Sequence, residues 1–248
     1  MNKIILHIPH AKTKLPKQFL DKILINKKEI LNFNKTISDL YIDELFCMKG
    51  VKRVVFKYSR IFCDVERFVN DECEEMSKFG MGVVYTKTHN KIKFINPCKE
   101  YKESVINKYY WPHHKKLNKI TTAQLKKRKT ILIDCHSFSD DIIMYENKKI
   151  NVPDICIGFN NNYFNMDLIN FVVSYFKKCG YTVESNYPYA GAIIPNKFLE
   201  KFDENLFCIM IEVNKRIYLN KENKKMEKFK LLSRQIKELI KKIKLLEI

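Results

Sequence analysis

The sequence predicts an α/β fold: one doubly wound, mainly parallel mixed sheet with helices on both faces, in a single domain spanning residues 1–248. Three observations predict it. Short apolar runs recur at 3–8, 130–135, 154–159 and 206–213, with the length and composition of strands buried on both faces. Amphipathic helical patterns lie between them, and that alternation specifies parallel strands joined by helical crossovers. No linker, repeat or low-complexity stretch divides the chain.

Taken in order, KIILHI (3–8) reads as a strand stopped at Pro9. Helices are expected over 17–24 and 39–47, the second with Ser38 as its N-cap. VKRVVFKY (51–58) reads as a strand, and acidic NDECEEM (70–76) as a surface segment. VVYTK and KIKFI (83–87 and 91–95) flank a Thr-His-Asn turn as a hairpin would. A helical pattern covers 99–120, with Pro112 expected to interrupt it. TILIDC (130–135) and DICIGF (154–159) are strands, and a helix over 165–178 stops at Gly180. YTVESN (181–186) and LFCIMIEV (206–213) are further strands. A basic amphipathic helix of about 25 residues runs from 222 onward, with Met226, Phe229, Leu232, Ile236, Leu239 and Ile243 on one stripe.

Composition narrows the function classes. At 46% hydrophobic and 12% aromatic the chain has material for a large core, which excludes disorder. No run approaches the ~20 apolar residues of a membrane span, and MNKIILHIPH lacks the form of a signal peptide. Of eight cysteines, residues 63, 135, 156 and 208 fall in or beside strand-like runs and no C-x-x-C pair occurs. Reduced thiols and a cytoplasmic location are therefore expected. The net charge of +18 comes from 40 Lys and six Arg spread along the chain. It is expected to be a solvated surface rather than a specific nucleic-acid reader, since it lacks an Arg-rich or aromatic binding element.

The chemistry is expected beyond the carboxyl ends of the strands, where open α/β sheets bind ligands. The first strand ends at His7-Ile8-Pro9-His10, the run ILIDC at Asp134-Cys135-His136-Ser137, and FCIMI at Glu212-Val213-Asn214. One such residue alone is ordinarily structural. Three titratable groups at three strand ends make a site the better reading. Imidazoles with a carboxylate suit Zn²⁺ with a position open to water, and a second carboxylate can serve as general base. Arg60 and Arg67 flank Asp64 in SRIFCDVER, and Arg216 follows Glu212. In a chain that otherwise prefers Lys, these arginines point to bidentate carboxylate recognition; pairing of Arg67 with Glu66 is the ordinary alternative. Asp64 is open to three roles: ligand, partner of a ligand, or ion-pair partner. His114 is a candidate for the site, whereas His113 and His89 are expected to be exposed. NYPYAGAIIP (186–195) is either a pocket rim or lid, or a plain turn.

HIPHAKTKLP, SDLYIDELF, SRIFCDVERF, YYWPHHKKL, LIDCHSFSD, PDICIGF, NYPYAGAIIP and IEVNKRIYL together resemble the N-formylglutamate amidohydrolases over nearly the whole chain. That family is similar in fold to zinc exopeptidases of the carboxypeptidase type. The resemblance implies hydrolysis of an N-acyl group from a small acidic amino acid, with N-formylglutamate giving formate and glutamate. It implies a divalent metal, expected to be Zn²⁺, with His136 as a ligand, Glu212 as the general base, and His10 matching the family's early Pro-His pair. The third ligand is open among Asp64, His7 and His114, and Asp64 is preferred. Arg60, Arg67, His114 and Arg216 are the expected substrate contacts. Ala11-Lys12 replace the family's frequent Ser-Gly after that histidine, and the exopeptidase His-x-x-Glu pair is absent. A peptidase or amidase using the same residues, and a non-catalytic basic binding module, are the alternatives.

Overall fold

A computed structural model of the chain describes residues 1–140 and 152–248. Two compact units emerge. The first comprises Met1–Ile8, Tyr41–Arg53 and Asn118–Ile248, and the second Pro9–Leu40 and Val54–Leu117. Among the described residues the strands β1 (Lys3–Ile8), β2 (Lys52–Val55), β3 (Thr130–Phe138), β4 (Ile155–Gly158), β5 (Val183–Ser185) and β6 (Leu206–Asn214) form one sheet, in the order β2-β1-β3-β6-β4-β5. β1, β3 and β6 run parallel; β4 is antiparallel to β6 and parallel to β5. The sheet is thus mixed and mostly parallel, as expected.

Every residue of β3 is buried, and the apolar runs that looked like two-sided strands are two-sided strands. Against the first unit's sheet pack α3 (Ile42–Leu45), α6 (Met166–Lys178) and α8 (Lys228–Leu245). In α8, Phe229, Leu232, Ile236, Leu239, Ile240 and Ile243 are buried, at the i, i+3, i+4, i+7 spacing that gives a helix one apolar stripe. Each such side chain contributes about 1.5–3 kcal/mol when fully withdrawn from water. The helix begins at Lys228 rather than 222. The preceding turn is held by Asn220, whose side chain accepts from Glu222 N and Lys224 N, with Asn223 at φ +58°.

The second unit has its own aromatic core. Phe19 meets Phe62 and Phe94 edge-on with centroids 5.7 and 6.3 Å apart, and Tyr109 closes on Phe62 at 4.8 Å. Edge-to-face pairs of this kind add stability beyond the area buried. Here local signals misled most. The helix expected at 17–24 is only α1 (Lys17–Leu20), because Leu24 N is drawn to the Phe94 carbonyl. The next helix, α2 (Lys27–Ile37), went unread, although Asn26 caps it by accepting from Lys28 N at 2.7 Å. Ser38 belongs to the end of α2, donating to the Asn34 carbonyl at 2.7 Å, and does not cap the helix that follows.

The expected hairpin over 83–95 is present in a short form: Lys87 and Lys93 bridge antiparallel, Thr88 N bonds the Ile92 carbonyl and Phe94 N the Thr86 carbonyl. Its first arm bonds elsewhere at the outer end, Tyr85 N to the Ile61 carbonyl and Thr86 N to the Gly80 carbonyl. The acidic segment is exposed except for Glu74, which caps a 3₁₀ helix over Glu75–Phe79. Pro112 does not break its helix. α4 (Lys99–Val105) passes through a π turn at Ile106–Tyr110 into α5 (Trp111–Leu125). The wider turn spaces out the carbonyls that an in-register proline ring would strike.

The eight cysteines are all free, with residues 63, 135, 156 and 208 buried as expected. Among the described residues no helix is long and apolar enough to cross a membrane.

The α8 stripe sets an expected outcome. Ile236→Ala, at a fully buried position, destabilises the protein by about 2–5 kcal/mol. Leu231→Ala, at an exposed position on the same helix, changes stability by no more than about 0.5 kcal/mol. Denaturant melts of the two variants measure the contrast.

Candidate active site

Strand register builds a cluster of titratable side chains in the first unit. His7 lies beside Asp134 on neighbouring strands, and His136 beside Glu212. Register partners point to the same face of a sheet, as do residues two apart on one strand. His7, Asp134, His136 and Glu212 therefore share a face, and all are at least 93% buried. β3 extends to Phe138, so His136 stands within the strand rather than just past its end. Cys156 is the register partner of Glu212 on β4. Burial raises the Cys156 thiol to about 11, so it stays protonated at neutral pH.

Asp134 is the hub. Its Oδ1 lies 2.8 Å from His7 Nδ1 and 3.1 Å from His136 Nε2, and its Oδ2 accepts from Ile193 N at 3.0 Å. Burial alone would raise its pKa. His136 and His7 override that and hold the carboxyl well below the usual range. An ionised carboxylate only accepts hydrogen bonds. Both histidines must therefore donate, which fixes His7 with its proton on Nδ1 and His136 with its proton on Nε2.

The 186–195 loop folds over this face as a wall. Cys156 Sγ donates to the Tyr189 carbonyl at 3.1 Å, and Asn160 Nδ2 to the Ala192 carbonyl at 2.6 Å. Gly191 has φ +84°, a left-handed conformation that glycine adopts without strain. A Cβ on Gly158 would sit 2.2 Å from the Gly191 carbonyl oxygen. Only a bare backbone at 158 lets the loop settle so closely on β4. The segment is more than a plain turn: it packs on β4 and bonds the Asp134 carboxylate.

The second unit holds a comparable arrangement around Asp64, which is fully buried. Its Oδ1 lies 2.8 Å from His10 Nε2 and accepts from Glu66 N at 3.1 Å. Its Oδ2 accepts from Arg60 Nε and Nη2 at 3.1 and 3.0 Å and from the Tyr85 hydroxyl at 2.9 Å. Burial opposes ionisation here too, but His10 and Arg60 hold the carboxyl well below its ordinary value. His10 thus carries its proton on Nε2. Its Nδ1 faces Asp39 Oδ2 at 3.8 Å and Glu66 Oε2 at 3.6 Å.

The remaining candidates have structural engagements. Arg67 lies 3.7 Å from Asp64 Oδ2 and 3.9 Å from Glu74 Oε1. Arg216 is clamped to Asp140 at 2.9 Å and Asp154 at 3.0 Å. Those bonds occupy the fork expected for substrate. His114 is buried, bonded to the Val65 carbonyl at 2.7 Å and stacked on Tyr110 at 4.3 Å. His113, expected to be exposed, is buried edge-on against Phe56 at 5.4 Å because the unbroken helix turns it inward. His89 is exposed, as expected. Asp39 and Tyr85 escaped the sequence reading. Asp39, directly after Ser38, was absorbed into an expected helix start, and Tyr85 into an expected hairpin.

Asp64→Asn removes the counter-charge of two largely buried arginines. The expected loss is about 3–5 kcal/mol of stability, against no more than about 1 kcal/mol for Arg216→Lys at its half-exposed clamp. Chemical denaturation of both variants checks the difference.

Comparison with known proteins agrees with this geometry. The chain matches the model of the N-formylglutamate amidohydrolase family over residues 2–219. A search of curated proteins found no match. Among solved structures the chain is similar to N-formylglutamate amidohydrolase from Ralstonia eutropha JMP134, with a TM-score of 0.82 and 17% identity, covering 98% of this chain and 93% of that one. It is also similar to a gene product of Agrobacterium tumefaciens, with a TM-score of 0.69 and 18% identity, covering 98% and 92%. At such identities the structural likeness speaks for the fold, and the family match speaks for the chemistry: the chain belongs to the N-formylglutamate amidohydrolase family, hydrolases that act on an amide.

Proposed function

We propose that the chain is a metal-dependent amidohydrolase that removes the N-acyl group of a small acidic amino acid, with N-formylglutamate as the expected substrate. The observation that carries this reading is the side-by-side placement of His136 and Glu212 on adjoining central strands, beside an ionised aspartate that fixes the imidazole. Eight free thiols suit a reducing compartment such as the cytoplasm.

The residues suit a divalent ion such as Zn²⁺. His10 and His136 each donate Nε2–H to a buried aspartate, which leaves Nδ1 as the ligand atom of each. A carboxylate behind the imidazole is the usual support of a metal-binding histidine. Asp64 was the preferred third ligand, yet both its oxygens are engaged by His10, Arg60 and Tyr85. Its role in this reading is to orient His10. Asp39, near His10 Nδ1, is the better carboxylate donor. When bound, the ion supplies a Lewis acid for the amide carbonyl and for water.

Glu212 takes the proton of the attacking water at its carboxylate and delivers it to the leaving nitrogen. Arg60 spends Nε and Nη2 on Asp64, and its Nη1 remains to meet a substrate carboxylate. A guanidinium can serve two carboxylates at once because its donors are splayed in one plane. Arg67 supplies a second positive charge close by.

The test is formate release from N-formylglutamate together with metal analysis of the purified protein. Wild-type protein is expected to carry a stoichiometric divalent metal and to release formate. Glu212→Gln is expected to keep the metal while kcat falls by about 10²–10⁴. Wild-type turnover by Glu212→Gln, or wild-type protein inert toward N-formylglutamate, sinks the reading.

A further inference from the structure

We infer that Asp134 is a positioning residue that ties the 186–195 loop to His136, so that the docked loop and the ring orientation of the histidine are set together. The inference rests on the proposed role of His136 as a metal ligand and deepens it, by assigning the residue through which the 186–195 loop acts on that ligand.

Asp134 is 2% exposed on the central strand β3. One of its oxygens serves His7 and His136, and the other serves the backbone amide of Ile193 in the loop. The loop's other hydrogen bonds lie toward β4. Asn186 Oδ1 accepts from Phe159 N at 2.9 Å and Gly191 N at 3.3 Å; Asn160 holds the Ala192 carbonyl, and Cys156 the Tyr189 carbonyl. The Tyr189 ring also meets Phe138 of β3 edge-on at 5.8 Å. The Ile193 amide is the polar group that reaches the Asp134 carboxylate.

A buried ionised carboxylate depends on every donor it has. Withdrawing the Ile193 amide leaves Asp134 Oδ2 without that donor, and the carboxylate then shifts or swivels to recover one. His136 Nε2 is bonded to the same carboxyl group at 3.1 Å, so its ring follows. Conversely, a well-placed His136 holds Asp134 where the loop amide can find it. By linkage the coupling acts equally in both directions.

The experiment uses the full chain and two variants. Asp134→Asn keeps the size but offers one carbonyl oxygen where the carboxylate has two. It cannot accept from both histidines and from Ile193 N in the native arrangement. The expected results are about tenfold faster hydrogen exchange in peptides covering 187–195 and Zn²⁺ binding to the apoprotein weakened about 10–100-fold. Native exchange rates, or native zinc affinity, overturn the inference. Asn160→Ala loosens the loop from its β4 side and removes none of the groups that bond Asp134, so any effect on His136 passes through the position of the Ile193 amide. It is expected to speed exchange over 187–195 and to shift the ring ¹⁵N resonances of His136; a loosened loop with unmoved His136 resonances overturns the inference even if Asp134→Asn fails to fold. Exchange and resonance shifts need no substrate. A protein that passes them but releases no formate would refute the proposed reaction and leave the coupling intact.

Discussion

An ionised carboxylate can be buried only where donors replace the water it loses, and that constraint at Asp134 organises the first unit. The side chain sits on a strand with no exposed residue, where an unpaired charge would cost several kcal/mol. Two imidazoles and one backbone amide meet the demand. Satisfying it has structural consequences. His7 must be in register on β1, β3 must continue past Asp134 to His136, and the 186–195 loop must come close enough to donate. That approach in turn requires Gly158 and Gly191 to carry no side chain. The second unit solves the same problem at Asp64, with His10, Arg60 and Tyr85 as donors. In each case burial favours the neutral acid, and the neighbouring donors defeat it: His136 and His7 at Asp134, His10 and Arg60 at Asp64.

How much of this could be read in the sequence follows from how local each signal is. β1, β3, β4 and β6 are continuous apolar runs, and their own composition suffices to place them. His136 and Glu212 stand out because they are polar groups at the ends of such runs. Their register, residue beside residue, is a non-local fact that no spacing in the chain encodes. The Asp64 hub was less accessible still. Its partners come from three stretches, at residue 10, at 60–67 and at 85, and only the two arginines were visible as neighbours. α2 was missed because Asn32, Asn34 and Thr36 dilute the pattern. Buried Asn34 is polar for a reason found only in three dimensions: it donates to the Thr13 carbonyl and accepts from the Ser59 hydroxyl. Pro112 misled in the opposite direction, since a π turn just before it makes room for the ring.

The family resemblance supplied roles, and the geometry redistributes two of them. A carboxylate that already accepts from His10, Arg60 and Tyr85 has little capacity left to ligate an ion, so in the proposed function Asp64 stands behind His10 and not beside the metal. Arg216 is spent on Asp140 and Asp154, which join the start of β4 to the turn after β6. A lone arginine in a Lys-rich chain therefore marks a need for a planar fork, but not whether that need is a substrate's or the fold's.

That distinction bears on the charge of the whole chain. Forty lysines give a net charge of +18, and a Lys ammonium would be as positive as a guanidinium beside Asp64. It would not be equivalent. An ammonium is a compact, strongly hydrated point charge that pays heavily for burial, whereas guanidinium is weakly hydrated and spreads its donors over a plane. Arg60 sits with 18% of its side chain exposed, two donors committed to one carboxylate oxygen and one edge left over. Its pKa rises despite burial because Tyr85, Asp64 and Asp39 favour the cation, so it remains charged at every pH the protein meets. A permanent cation anchored to an internal carboxylate has a fixed position before any ligand arrives, which lowers the ordering cost of binding an acidic one. A mobile surface lysine attracts the same anion without holding it in one orientation, so under the proposed function the general positive charge draws the acidic substrate toward the protein and the anchored arginines select its pose.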